Sequence, residues 1–323
     1  MKQQEFEQRY GADWQALEEW LQPASKRTDT EALAAAEFPT RYRRLCHQLA
    51  LAKQRRYSSQ LLERLNRLAL LAHNRFYADR RRDRGRWLLF FIIDFPHTIR
   101  ANARLVALAA ALLIIPGLVL GFGCYQRNDL IYSVMPSRQV QQFDEMYKPG
   151  QDRIGRHRQT DTDLLMFGFY IKNNIGIAFR TFAGGMLFGV GSLFFLVYNG
   201  IEMGAVTGYI SAHKYHSTYF PFVIGHGAFE LTAIVISGAA GLKLGLALLA
   251  PGRHSRLVAL RTAGREALIL MYGATVMLVI AAFLEGFWSS QTTIPNTVKY
   301  AVGSSLWLFV AVYFTRMGRA RAT

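Results

Sequence analysis

The pattern of apolar and polar positions changes character near residue 100. Before it, apolar side chains recur at helical spacing among charges. Over residues 5–21, Phe6, Tyr10, Trp14, Leu17 and Leu21 fall at steps of three and four, which predicts an amphipathic helix. A loop containing Pro23 follows, and then two further helical stretches. Residues 39–53 carry Tyr42, Leu45 and Leu49 on one stripe, and residues 58–77 carry Leu62, Leu65, Ala69 and Ala72. Beyond residue 100 the apolar runs become continuous. Residues 105–122 are uncharged and long enough to cross a bilayer, as are 181–201 and 267–284. Residues 300–315 are shorter, with Lys299 and Arg316 placed to snorkel from the ends. The stretch 203–249 is Gly-rich and interrupted by His213, Lys214, His216, Glu230 and Lys243, so a pair of spans or broken half-helices is expected there. The sequence predicts an all-α, polytopic helical membrane protein of about six membrane segments, some broken, behind an N-terminal helical module.

Charge sharpens the division. The 323 residues hold 38 Lys and Arg against 22 Asp and Glu, a net charge of +16, yet 51% of them are hydrophobic. Residues 1–104 carry 32 of those 60 charges in a third of the length. The expected layout is a basic helical module at 1–86, an interfacial elbow at 87–104, a membrane domain at 105–316 and a short tail at 317–323. The elbow is expected to break at Pro96 and to lie at the interface rather than span, since Asp94 and Arg100 would lie too deep in a span. An external loop is expected at about 124–174, with seven basic and six acidic residues and room for a short helical pair. The aromatic content excludes disorder, and two cysteines, Cys46 and Cys124, exclude a disulfide scaffold.

The arginines Arg41, Arg43, Arg44, Arg55, Arg56, Arg64 and Arg67 mark an outer basic face. The run Arg80, Arg81, Arg82, Arg84 and Arg86, with Arg100, precedes a hydrophobic segment. It reads as a membrane-surface anchor, because no nucleic-acid reading motif accompanies it. Further basic clusters at Arg253, Arg256, Arg261 and Arg265, and at Arg316, Arg319 and Arg321, lead to the expectation of both termini in the cytoplasm, with an odd count of crossings and an external C-terminus as the alternative.

Chemistry is sparse. Gly200, Gly204 and Gly208 recur every fourth position, as do Gly185 with Gly189 and Gly241 with Gly245, the spacing of close helix packing. On these glycine-rich helices a homodimer is expected. Glu202, Glu230 and Glu285 lie within or beside apolar stretches, where a carboxylate must pair, protonate or face water. His226 and Glu230 share a helical face, and Asn199-Gly200 before Glu202 reads as a turn at a helix junction. These five polar residues either line a cavity or relay, or tie broken helices together. His213, His216, His226 and Glu230 have the types seen in zinc sites, but no His-Glu-x-x-His occurs, so no metal and no cofactor is expected. Gly191-Ser192 lacks the nucleophile-elbow spacing, and no phosphate-binding loop exists. The chain is expected not to be an enzyme.

The sequence resembles the stage II sporulation protein M family of bacterial integral membrane proteins over roughly residues 87–316. The residues that carry this are Phe95-Pro96 followed by Arg100, Phe167 to Ile171 with Asn173-Asn174, and Asn199-Gly200. They continue with His226-Gly227 and Glu230, the glycine run at 238–245, and Phe283 to Phe287. A proline commonly precedes the His-Gly pair in that family; here Pro221 stands five residues upstream. The resemblance implies a multi-pass protein of the bacterial inner membrane that acts as a scaffold or assembly partner of an envelope complex. It implies as partners a MoxR-type AAA ATPase, von Willebrand A-domain proteins or cell-wall-associated proteins, besides the lipid bilayer. The layout is also similar to the membrane half of type-2 ABC exporters, which leaves a permease-like or lipid-handling subunit, energised by a separate ATPase, as the alternative.

Overall fold

The computed structural model describes residues 1–21, 30–81, 83–150, 154–155 and 163–319. Among these no strand occurs, and the chain divides into two compact units, Met1–Leu88 and Leu89–Thr323.

The first unit comprises helices α1 (Gln3–Leu21), α2 (Thr30–Gln54) and α3 (Ser59–Arg81), with the short α4 (Asp83–Leu89) at its end. Phe6, Trp14 and Leu17 of α1 pack with Phe38 and Leu45 of α2 and with Leu61, Leu65, Leu68 and Ala72 of α3. On α3, Leu65 and Ala72 of the expected stripe are fully buried and are joined by Leu61 and Leu68, while Leu62 and Ala69 are only partly buried. Trp14 is buried whole because its Nε1 donates to Gln48 Oε1 at 2.7 Å, which satisfies the indole inside the core. Arg41, Arg43, Arg44, Arg55, Arg56, Arg64 and Arg67 are all exposed. The side chains of Arg80, Arg81, Arg82, Arg84 and Arg86 lie outside the described residues.

In the second unit a π-turn, Phe90–Asp94, leads into α5 (Phe95–Ala101). Pro96 does not break this elbow, because it occupies the first turn of α5, where a missing N–H costs little. The chain bends instead at Asn102, between α5 and α6 (Ala103–Gln126). A 3-10 turn, Asn128–Ser133, and α7 (Ser137–Tyr147) follow, and then α8 (Asp163–Ala183). α8 thus begins at Asp163, inside the stretch 124–174 expected as an external loop. Lys172, Asn173 and Asn174 mask α8 as a loop in the sequence, but Asn174 points into the protein and is buried.

The stretch 181–201 is not a span. A turn at 184–189 divides it, and α9 (Val190–Ala212) starts after Gly189, whose φ of +85° suits glycine. Asn199 and Gly200 accordingly lie in mid-helix, not at a helix junction. After α9 comes α10 (His216–Leu249), one unbroken helix of 34 residues where a pair of spans or half-helices was expected. Its Pro221 lies inside the helix and cannot donate to the Ser217 carbonyl, which accepts from Asn296 Nδ2 at 2.9 Å instead. α11 (Arg256–Phe283) continues through a second π-turn, Leu284–Ser289, and α12 (Asn296–Arg316) ends the bundle.

Five of these helices, α6, α9, α10, α11 with its π-turn, and α12, are long and apolar enough to cross a membrane. The amphipathic α8 packs against α10 and α11. On α6 the large apolar side chains Ile114, Ile115, Leu118, Val119 and Phe122 point outward, as expected where lipid replaces water. Small residues face inward. A Cβ on Gly200 would lie 2.1 Å from the Leu113 carbonyl oxygen. One on Gly204 would lie 2.0 Å from that of Gly117, and one on Gly208 2.0 Å from that of Gly121. The pairs ascend together, so α6 and α9 run parallel and α8 must return between them. The second glycine set closes the α8–α9 turn onto α10: a Cβ on Gly185 would meet the Gly241 oxygen at 2.1 Å, and one on Gly245 the Gly189 nitrogen at 2.3 Å. All these glycines thus serve contacts within one chain.

Lys243 pairs with Glu266 at one end of α10 and α11, and His226 meets Ser289 at the other, so these two helices are antiparallel. α12 runs alongside α10, with Asn296 donating to the Ser217 carbonyl and Gly303 against Ile224. Six passes bring the start of α6 and the end of α12 to one end of the unit. There Arg100 donates to the Phe314 carbonyl at 2.9 Å, which satisfies an open acceptor in the last turn of α12. Its role is to tie the elbow to the bundle, besides any contact with lipid.

Candidate functional site

Six elements converge on one cavity, α6 contributing Leu113. α8, α9 and α10 form its walls, α7 roofs it, and the π-turn after α11 reaches in from behind. Its volume is about 540 Å³. Asn199, Glu202, His226, Glu230 and Glu285, the five polar residues singled out from the sequence, all line it.

The inner group is built around α10. His226 is 4% exposed, with the Phe222 ring one turn earlier set edge-on at 5.1 Å. Helical spacing places Glu230 on the same face, with its Oε2 3.8 Å from His226 Nε2, too long for a hydrogen bond. Glu285 comes from 55 residues further along the chain. The π-turn is what turns it inward, and such turns recur where a helix must re-aim one side chain. One donor atom from each of His226, Glu230 and Glu285 falls within 4.8 Å of the other two.

Behind them runs a supporting chain. His226 Nδ1 shares a 3.2 Å hydrogen bond with Ser289 Oγ, and the Ser289 carbonyl accepts from Lys299 Nζ at 2.8 Å. Lys299 is fully buried, so it does not snorkel from the end of α12. Ser289 is fully buried too and does not line the cavity, so it orients the imidazole and is no accessible nucleophile.

Toward the roof the groups are spaced more widely. Gln139 Nε2 of α7 donates to Glu202 Oε1 at 3.3 Å, and Asn199 Nδ2 donates to the Phe195 carbonyl within its own helix at 2.6 Å. Tyr147 and Thr218 join roof to wall through a hydrogen bond from Thr218 Oγ1 to the Tyr147 carbonyl. Burial pushes the Tyr147 hydroxyl well above its ordinary range, so the roof contributes no phenolate. On α8, Asn173 Nδ2 donates to Asn174 Oδ1 at 3.0 Å. Asn174 is 2% exposed, and its side-chain amide lies beside the Glu285 carboxyl. The deep wall is apolar, with Leu113, Ile177, Leu231 and Ile234.

Sequence reasoning missed Lys299, Ser289 and Asn174 as parts of this site, although Asn174 lies within a motif that it noted. It also missed a second polar knot at the opposite end of the bundle. There Lys243 Nζ donates to Asn102 Oδ1 at 2.6 Å and pairs with Glu266, while Asn102 Nδ2 donates to Glu266 Oε2 at 2.9 Å. This triad fastens the bend at Asn102 to α10 and α11. The signal was present as Lys243, a lone charge within a long apolar stretch, which is expensive without a partner.

Outward apolar faces, inward glycines and an ionisable cavity define a polytopic helical membrane protein with an interior polar site. The chain belongs to the stage II sporulation protein M family, which matches residues 107–290, more than half of its length. Residues 4–78 match a domain of unknown function, DUF8413. An uncharacterized protein of Methanocaldococcus jannaschii, MJ0793, is 32% identical over 79 residues. That match covers 24% of this chain and 44% of the relative, so the chain spans under half of that protein's length. No solved structure matches.

Proposed function

We propose that the protein is a permease-like or lipid-handling membrane subunit, without enzymatic activity of its own, energised by a separate ATPase. The observation that carries this is the cavity: polar groups from α7 to α10 face an accessible space of about 540 Å³ instead of packing dry against one another. Its gradient, from amides and carboxylates under α7 to Leu113, Ile177 and Ile234 deeper in, suits an amphiphile. The orientation proposed is that of a bacterial inner-membrane protein. Arg104, Arg180, Arg253, Arg256 and Arg316 gather at the end where α6 starts and α12 stops, and the positive-inside rule makes that end cytoplasmic. The cavity under α7 then opens on the far side.

The test is native mass spectrometry of protein extracted from vesicles of phosphatidylethanolamine and phosphatidylglycerol. A retained lipid on the wild type, lost in Glu230→Gln with unchanged thermal stability, supports this reading. Loss of folding in Glu230→Gln, with no lipid on the wild type, favours a tie between helices.

A scaffold or assembly role is the second reading. It is favoured by the separate helical unit, whose exposed arginine face surrounds a core of its own and holds no chemistry. Its partners would be a MoxR-type ATPase, a von Willebrand A-domain protein or a cell-wall-associated protein. Crosslinking in cells that recovers only the lone chain counts against it.

A further inference from the structure

We propose that His226, Glu230 and Glu285 form a binding site for a divalent first-row metal ion, of which zinc is the best fit, at the inner end of the cavity. Three features carry this. The first is the ligand set. An imidazole nitrogen and two carboxylate oxygens lie within 4.8 Å of one another, and the closest pair measured is 3.8 Å apart. Bonds of about 2.1 Å in tetrahedral geometry need donors about 3.4 Å apart, which small rotations of two glutamate side chains supply. The second is charge. Two carboxylates drawn together inside a membrane protein repel one another and are costly to desolvate, and one divalent cation neutralises both.

The third is the surrounding shell. A metal-binding histidine characteristically engages a partner with its other ring nitrogen, which fixes the ring. His226 does this through Ser289, which is itself held by Lys299. On the open side, Asn174, on a side chain more than nine-tenths buried, lines the cavity beside the Glu285 carboxyl, where its amide can steady a ligating carboxylate. Three protein ligands with one open position is the arrangement in which zinc stays accessible. The absence of His-Glu-x-x-His from the sequence is no obstacle, because the third ligand comes from a different helix.

The test uses full-length protein carrying no histidine tag, purified in detergent, stripped with EDTA and titrated with Zn²⁺, with bound metal measured by mass spectrometry. One zinc per chain is expected. Glu285→Gln and His226→Gln should each weaken binding by about 100-fold, and Ser289→Ala by about 10-fold. Glu202→Gln, in the same cavity but outside the triad, should leave zinc binding unchanged. Co²⁺ on the wild type should give the visible absorption of a low-coordinate site, a reading that depends on no variant. A folded, stripped wild type that takes up no zinc overturns the proposal, and so does equal loss in Glu202→Gln and Glu285→Gln. The site uses the cavity of the proposed function but not its transport. A protein that takes up no zinc on titration yet retains lipid sinks the site alone, and one that takes up zinc but retains no lipid sinks that function alone.

Discussion

At the scale of single residues, the membrane unit is held by polar groups that lipid cannot solvate. Lys299 shows the principle most plainly. Its ammonium is fully buried and donates to the Ser289 carbonyl at 2.8 Å, so it fixes the π-turn that carries Glu285. Lys299→Met keeps the apolar stem and removes the donor. Thermal unfolding in detergent should show a loss of about 1–3 kcal/mol, the cost of an orphaned buried acceptor. The zinc affinity should fall with it, because the π-turn is no longer pinned. A variant as stable as the wild type would remove Lys299 from the argument.

Helices set the next scale, and glycine decides how they approach. Gly204 allows the α9 backbone to touch α6, since any Cβ there would come within 2.0 Å of a carbonyl oxygen. Gly204→Ala must therefore push two backbones apart, with an expected loss of about 3 kcal/mol or more. Gly176 on α8 is the control, because a Cβ there meets nothing within 4 Å. Gly176→Ala should be neutral, or stabilising by up to about 1 kcal/mol from helix propensity. Paired melting curves test both, and similar losses in the two would refute the packing account. The same contacts explain why the sequence misplaced one crossing. Hydropathy registers apolar length, and residues 181–201 are apolar throughout. The turn at 184–189 exists because Gly185 and Gly189 meet Gly241 and Gly245 of a helix some 55 residues away. α8 escaped notice for the converse reason: Lys172, Asn173 and Asn174 lower its hydropathy, yet Asn174 faces the cavity and not lipid.

For the molecule as a whole, the predictions concern orientation and surface. Six passes with arginines at one end require that a reporter fused to the C-terminus remain cytoplasmic. A fusion within 127–150 should report the opposite side, and agreement between the two reporters would overturn the topology. The first unit, Met1–Leu88, has its own core and an exposed face of arginines. Made as a separate fragment, it should sediment with vesicles containing anionic lipid at low salt and be released at 1 M salt, where screening reaches about 3 Å. Equal binding to neutral vesicles would exclude an electrostatic anchor.

What the sequence alone determined were the local properties: helical periodicity in Phe6 to Leu21, the division of charge near residue 100, the glycine spacing on α9, and the presence of costly carboxylates at 202, 230 and 285. Each follows from side chains within a few turns of one another. The tertiary structure decided which of those carboxylates meet. Glu285 joins His226 and Glu230 through a π-turn, and Glu202 remains with Gln139 near the roof. It also decided that Lys299 is buried and that Lys243 answers Glu266. Hydrophobic pattern records whether a residue can leave water; which partner awaits it depends on helices brought together from distant parts of the chain.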